Sequence, residues 1–162
     1  MTITKSKRIW IFVNVLLILI WCVVIFYLSS RTASQSTSQS RSITEMLIRL
    51  IDKLDGKIST DFELNRQINY FNHILRDVAH SFCYLVLSLL TVNLLYLLRI
   101  RNWKALFYTI IFCIIYSLSD EIHQIFVPGR AFQIIDLTND ALGAIIGIIF
   151  YKCIKRITLK NT

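Results

Sequence analysis

The sequence contains little of what most soluble folds require. It has a single proline and four glycines in 162 residues, which argues against collagen-like, low-complexity and turn-rich all-β proteins. Charged residues make up 17% of the chain, below the level of about 25% that is usual for soluble domains. Apolar residues make up 55% and are grouped in long blocks that the core of one small domain could not absorb. The composition therefore predicts an integral membrane protein.

The placement of the four cysteines argues against a disulfide-rich protein and against a cysteine metal site. Cys22, Cys83, Cys113 and Cys153 fall within or at the ends of apolar blocks, without a CxxC motif or a metal-ligand spacing. A disulfide framework would need cysteines in segments that face an oxidising compartment. We therefore interpret the four cysteines as small apolar packing residues.

Four apolar blocks are long enough to cross a membrane as helices, at about 20 residues per crossing. They cover residues 9–28, 78–98, 103–124 and 134–151, of which the last two need their polar ends to reach this length. Lipid admits only helices and closed barrels, and no block alternates apolar with polar residues as a barrel strand does. The predicted fold is all-α, a four-helix bundle that forms a single membrane domain over residues 1–162.

The first apolar block resembles a signal peptide, because basic residues precede it. Residues 28–31, Leu-Ser-Ser-Arg, however, offer no small-residue cleavage site. We therefore expect a retained span.

The distribution of basic residues predicts the orientation of the bundle. The N-terminus, the connection around residues 99–104 and the C-terminal tail contain ten basic residues and no acidic ones, namely Lys5, Lys7, Arg8, Arg99, Arg101, Lys104, Lys152, Lys155, Arg156 and Lys160. The positive-inside rule then places both termini in the cytoplasm and residues 29–77 in an outer loop. The net charge of +8 follows from this topology, so we expect no nucleic-acid partner.

The predicted outer loop contains a second kind of helix. Residues 29–41 have the composition of a flexible linker, and Ser42-x-x-Glu45 matches a capping box. An apolar stripe at helical spacing follows, formed by Ile43, Met46, Leu47, Leu50, Ile51 and Leu54. We expect an amphipathic helix that ends near Gly56 and lies on the outer membrane surface or over the bundle. A capping box at Thr60-x-x-Glu63 starts the next helical segment, and residues 61–98 fit either one long helix or two.

Polar side chains also occur where lipid is expected, near the outer ends of the predicted spans. A charged side chain at membrane depth costs about 2.5–3.5 kcal/mol on insertion scales, so such residues face a bundle interior and find partners there. The candidates are Arg76, His80 and Tyr84 on the second span, Asp120, Glu121, His123 and Gln124 on the third, and Asp136, Asn139 and Asp140 on the fourth. Gly143 and Gly147 continue the last stripe and predict close helix contact.

The connection between the third and fourth spans contains Val127-Pro128-Gly129-Arg130. Proline followed by glycine is typical of a type II turn. Arg130 is the one basic residue of this outer connection. It either neutralises the neighbouring carboxylates or binds a phosphate or carboxylate of a ligand, and both roles are compatible.

Three stretches of the sequence resemble the VanZ-like family. They are Phe26-Tyr27-Leu28-Ser29-Ser30, Arg76-x-x-Ala79-His80-x-Phe82-x-Tyr84, and the run from Ser119 to Arg130 followed by Asp136, Asn139 and Gly143. The resemblance extends in order over nearly the whole chain. It implies a small four-span protein of the bacterial cytoplasmic membrane, and an association with low-level resistance to the glycopeptide teicoplanin.

Three functions remain open for the polar cluster. We favour a non-enzymatic envelope protein that binds a ligand at the outer face, with a cell-wall precursor, a glycopeptide or a lipid as candidate ligands. Within this class, the cluster could instead bind a partner protein or only fix the register of the helices. The alternative is a membrane-embedded enzyme that uses His80, Glu121 or His123 in acid–base chemistry on a lipid-linked or cell-wall substrate. A metal site is disfavoured because the ligand spacing is absent and Arg130 lies among the candidates, and we expect no cofactor. Besides the lipid bilayer, a second copy of the chain is a candidate partner.

Overall fold

A computed structural model of the protein describes residues 4–55 and 61–160. Within these ranges the regular structure consists of five helices, namely α1 (Lys5–Ser29), α2 (Ala33–Asp55), α3 (Asp61–Leu97), α4 (Asn102–Gln124) and α5 (Ile134–Lys160). The predicted all-α fold class is therefore confirmed. Helices α1 and α4, with the segments Ile74–Leu97 of α3 and Ile134–Lys155 of α5, are long and apolar enough to cross a membrane.

The side chains are distributed as expected for a protein in lipid, with polar groups inside and apolar groups outside. Trp10 and Phe12 of α1 are exposed, as are Ile146 and Phe150 of α5. Several polar residues are buried between the helices, namely Ser88, Thr91, Thr109, Ser117, Asp120, Glu121, Gln124, Asp136 and Asp140. Exposed apolar side chains would be unfavourable in water, and lipid accommodates them.

Helix α3 occupies the centre of the bundle and contacts each of the other four helices. It runs parallel to α5, since Arg76 lies beside Asp136 at one end and Asn93 accepts a hydrogen bond from Tyr151 at the other. Helices α1 and α4 run in the opposite direction. As a result, one end of each span lies at the same end of the bundle, at Ser29, Ile74, Gln124 and Ile134. This end is here called the polar end. The opposite end contains the connection between α3 and α4 and is here called the basic end.

Two glycines allow α3 and α5 to approach closely. A Cβ atom on Gly143 would lie 2.9 Å from Cα of Ser81, and a Cβ atom on Gly147 would lie 3.2 Å from the carbonyl carbon of Leu85. A side-chain atom at Gly143 would therefore meet main chain, which cannot rotate away. The GxxxG spacing forms the α3–α5 interface, in agreement with the predicted close helix contact.

Two aromatic donors attach α1 to its neighbours. Nε1 of Trp21 donates a hydrogen bond of 2.8 Å to the carbonyl oxygen of Cys83 on α3. The hydroxyl of Tyr116 on α4 donates one of 2.6 Å to the carbonyl oxygen of Cys22. Both bonds satisfy polar groups that would be costly if left unpaired in lipid.

The prediction of a flexible linker was wrong for residues 33–41, because α2 begins at Ala33. Thr32 and Gln35 cap its start reciprocally, with the backbone N–H of each donating to the side chain of the other. The capping box is therefore Thr32-x-x-Gln35, and the prediction at Ser42-x-x-Glu45 was wrong. Ser42 lies inside the helix, where its hydroxyl donates to the carbonyl oxygen of Ser38.

The question of one or two helices over residues 61–98 is resolved by α3, a single helix of 37 residues. Its apolar segment begins at Ile74, four residues before the predicted start of the second span. Arg76 lies within this segment, where it is partly buried and pairs with Asp136. Thr60 and Gly56 lie outside the described residues.

The apolar stripe predicted on α2 is largely exposed. Ile43, Leu47 and Ile51 are all exposed, whereas Ile48 is buried and forms a small cluster with Ile68 of α3. Helix α2 therefore packs on α3 through a different face from the predicted stripe. That the rest of its apolar face lies on a membrane surface stays a prediction.

Candidate functional site at the polar end

Two charged or polar pairs link α3 to α5 at the polar end. Nη2 of Arg76 lies 3.1 Å from Oδ2 of Asp136. One helical turn further, Nδ1 of His80 lies 3.7 Å from Oδ1 of Asp140, whose other oxygen accepts a hydrogen bond from Ser117 of α4. The spacing of four residues on both helices stacks the pairs, because residues i and i+4 share a helix face.

Three buried residues of α4 complete the polar interior. Nε2 of Gln124 donates a hydrogen bond of 3.4 Å to Oδ2 of Asp120. Oε2 of Glu121 accepts one of 2.8 Å from the backbone N–H of Gln133, directly before α5. A carboxylate at this position complements the positive end of the helix dipole. Glu121 therefore holds the start of α5 against α4.

The connection from α4 to α5 forms the predicted tight turn. The backbone N–H of Arg130 donates to the carbonyl oxygen of Val127 at 3.0 Å, and Gly129 has the positive φ of 77° that a type II turn requires at its third residue. Nε of Arg130 then donates a bond of 3.3 Å to the carbonyl oxygen of Arg31. Burial lowers the pKa of the Arg130 guanidinium from its ordinary value.

Arg130 does not take the role of pairing with the neighbouring carboxylates. Within the described residues it forms no ion pair, and its buried Nη1 has no hydrogen-bond partner. The ion pair with Asp136 is made by Arg76. Arg130 therefore retains donors for a group that is not part of the described chain.

A cavity of about 320 Å³ opens beside these residues, bordered by α1, α2, α3, α4 and the connections at the polar end. Its polar lining residues are Ser29, Arg31, Ser36, Arg76, His80, Tyr84, Asp120 and Arg130. Its apolar lining residues are Ile25, Leu28, Ile43, Leu75, Ala79 and Cys83. The lining thus combines basic residues with hydrocarbon side chains.

Residues 12–156 match the family described as VanZ/LLP1. The chain belongs to this family. No curated protein and no solved structure matches the chain.

Most of the residues predicted for the site of this VanZ/LLP1 protein come together at the polar end. Those that line the cavity are Arg76, His80, Tyr84, Asp120 and Arg130. Those that are buried without lining it are Glu121, Gln124, Asp136 and Asp140. The run from Ser119 to Arg130 therefore contributes Asp120 and Arg130 to the cavity wall. It also contributes Glu121 and Gln124, which are buried beside the cavity.

Two of the predicted residues lie apart from the cavity. Nε2 of His123 lies 3.1 Å from Oγ of Ser30, and its ring centroid lies 4.4 Å from that of Phe26. Asn139 contributes its main-chain carbonyl oxygen, which accepts a hydrogen bond of 2.9 Å from Oγ of Ser81. Both residues hold helices together in this structure.

Sequence reasoning missed the contribution of the segment after α1. Arg31, Ser36 and Ile43 line the cavity, although residues 29–41 were expected to form a linker. The signal that could have found them is the capping pattern Thr32-x-x-Gln35, which brings α2 back over the end of α1. Among the described residues, no group of three or more His, Cys, Asp or Glu side chains converges as metal ligands.

Proposed function

We propose that this VanZ/LLP1 protein binds a ligand in the cavity at the polar end, which faces the outer side of the bacterial cytoplasmic membrane. The observation that carries the proposal is the cavity wall, which combines Arg31, Arg76 and Arg130 with apolar side chains. Ionisable residues at membrane depth mark functional sites by default. The resemblance to VanZ-like proteins supports a role in cell-envelope function or glycopeptide resistance.

The outward orientation is supported by charge. The basic end contains Arg99 and Arg101 in its connection and Lys104 in the first turn of α4, and Lys5 and Lys7 lie in the first turn of α1. Basic residues are concentrated on the cytoplasmic side of membrane proteins. The polar end then faces outward, where cell-wall precursors and glycopeptides are present.

The size of the cavity limits what it can hold. Drug-sized ligands occupy pockets of about 300–1,000 Å³, and this cavity is about 320 Å³. A whole glycopeptide is larger than the cavity. A resistance function would therefore act through a smaller ligand or through one part of a larger molecule.

The function can be tested through Arg130. Gram-positive cells that express the chain should survive higher teicoplanin concentrations than cells without it, and Arg130→Gln should remove most of this protection. The substitution removes a charge and donors that the described chain leaves unpaired. The measurement is the minimum inhibitory concentration at matched abundance of protein in the membrane.

Arg49→Gln is the matched control, because Arg49 is exposed on α2, pairs with Glu45 and does not line the cavity. It should protect as the parent does. Equal protection by Arg130→Gln and the parent would contradict a role for the cavity. An absence of protection by the parent itself would contradict the resistance function.

The alternative function, an enzyme, is favoured by the arrangement of His80. This side chain lines the cavity and lies 3.7 Å from Asp140, which Ser117 also contacts. A histidine oriented by a carboxylate is a common general base. If the protein is an enzyme, His80→Gln should abolish protection while ligand binding persists. If the protein only binds its ligand, His80→Gln should lose protection and ligand binding together.

A further inference from the structure

We propose that the ligand is a phosphate-bearing membrane lipid, with its phosphate between Arg76 and Arg130 and its hydrocarbon chain against the apolar residues that line the cavity. This inference rests on the proposed function and names the class of ligand.

The lining of the cavity has more basic than acidic residues, namely Arg31, Arg76 and Arg130 against Asp120. The guanidinium of Arg31 donates a hydrogen bond of 2.9 Å to the hydroxyl of Tyr27, outside the cavity, so the inference rests on Arg76 and Arg130. Nε of Arg76 and Nη1 of Arg130 are buried and have no hydrogen-bond partner in the described part of the chain. Unpaired buried donors are costly, and an anionic ligand would satisfy them.

Three other carboxylates of the polar end each have one oxygen engaged. Glu121 accepts from the backbone of Gln133, Asp136 pairs with Arg76, and Asp140 accepts from Ser117, whereas Oε1 of Glu121 and Oδ1 of Asp140 have no hydrogen-bond partner in the described part of the chain. None of these three carboxylates lines the cavity. The lining therefore has Arg76 and Arg130 with Asp120 as its acid, and this balance favours an anionic ligand.

The two arginines with unpaired buried donors come from different parts of the chain. Arg76 belongs to α3 and Arg130 to the connection before α5. A planar carboxylate presents two oxygens, which a single guanidinium fork can satisfy. A phosphate presents oxygens in tetrahedral directions and suits donors that approach from several sides. The geometry therefore favours phosphate over carboxylate.

Two apolar residues of the cavity lining also lie at the outside of the bundle. Leu28 is 46% exposed and Ile43 is 54% exposed, although both line the cavity. A hydrocarbon chain in contact with them could continue into the surrounding lipid. Basic pockets between membrane helices bind lipid head groups in this way. A free phosphate would leave these apolar residues without a contact.

The test compares ligands that share one half of the proposed lipid. The full chain is purified in a nonionic detergent, and binding is measured by native mass spectrometry for phosphatidylglycerol, for diacylglycerol, which lacks phosphate, and for glycerol phosphate, which lacks chains. Phosphatidylglycerol should bind at least about tenfold more tightly than either of the others. Equal binding of phosphatidylglycerol and diacylglycerol, or of phosphatidylglycerol and glycerol phosphate, would overturn the inference.

Two pairs of variants separate the two halves of the site. Arg130→Gln should weaken phosphatidylglycerol binding about tenfold, whereas Arg49→Gln should not. Ile43→Ser should weaken it as well, whereas Ile51→Ser, at an exposed position of α2 outside the cavity, should not. Unchanged binding by Arg130→Gln overturns the inference, even if this variant loses protection in cells. In that case the cavity keeps its proposed function with a different ligand.

Discussion

Gly143→Ala is expected to destabilise the bundle by about 3 kcal/mol, the upper part of the range for overpacking a close contact. The new Cβ atom would meet the main chain of Ser81, with Cα of that residue 2.9 Å away. No side-chain rotation relieves this overlap, so α3 and α5 must separate. In an exposed helix the same substitution would stabilise by up to about 1 kcal/mol. Thermal unfolding in detergent and the yield of monodisperse protein measure the effect.

Ile146→Ala serves as the control, because Ile146 lies on the same helix and is exposed. It removes more atoms than Gly143→Ala adds, yet it should leave the unfolding midpoint nearly unchanged. If Gly143→Ala proved as stable as the parent, the close contact between α3 and α5 would be refuted. The two charged pairs at the polar end would then lose the contact that aligns them.

Arg76→Ala is expected to destabilise the protein more than Asp136→Ala does. Asp136 is 2% exposed, so removing its partner leaves a buried carboxylate, which costs about 3–5 kcal/mol in comparable pairs. Arg76 is 27% exposed and borders the cavity, so without Asp136 it remains partly solvated. The two substitutions remove the same ion pair and differ in the group that they leave behind.

A double-mutant cycle tests this asymmetry. The variant that lacks both side chains should be more stable than Arg76→Ala alone, since no unpaired charge remains. The free energy of unfolding is measured for all four proteins in one detergent. Equal losses for the two single variants, or strictly additive losses, would contradict the burial difference between Arg76 and Asp136.

The four apolar blocks were sufficient to predict the spans, because lipid permits few alternatives to a helix. Residues 33–41 were wrongly predicted as a flexible linker, because their polar composition was given more weight than the capping pattern that precedes them. Serine and glutamine are typical of linkers, yet Thr32 and Gln35 cap a helix there. The continuity of α3 was left open, since periodicity alone does not distinguish a long helix from two that meet.

The site was predictable as a cluster but not as a cavity. Spacing on one helix placed Asp136 and Asp140 on a common face, and the structure pairs them with Arg76 and His80. The sequence does not contain the relative position of α3 and α5. It therefore could not predict that Arg76, and not Arg130, pairs with Asp136. For the same reason the contribution of Arg31 was not foreseen, as it depends on where α2 returns.

The central claim is that the cavity opens at the outer face of the membrane, and thiol labelling tests it most directly. Ile43→Cys places a thiol at an exposed position of the cavity wall, while the native Cys153 is exposed near the basic end. Because Cys83 also lines the cavity, the test is made in a Cys83→Ala background. A membrane-impermeant maleimide added to intact cells should label Ile43→Cys in this background and leave the background protein itself unlabelled until the cells are permeabilised. Labelling of the background protein in intact cells, with no additional labelling of Ile43→Cys until the cells are permeabilised, would contradict the account.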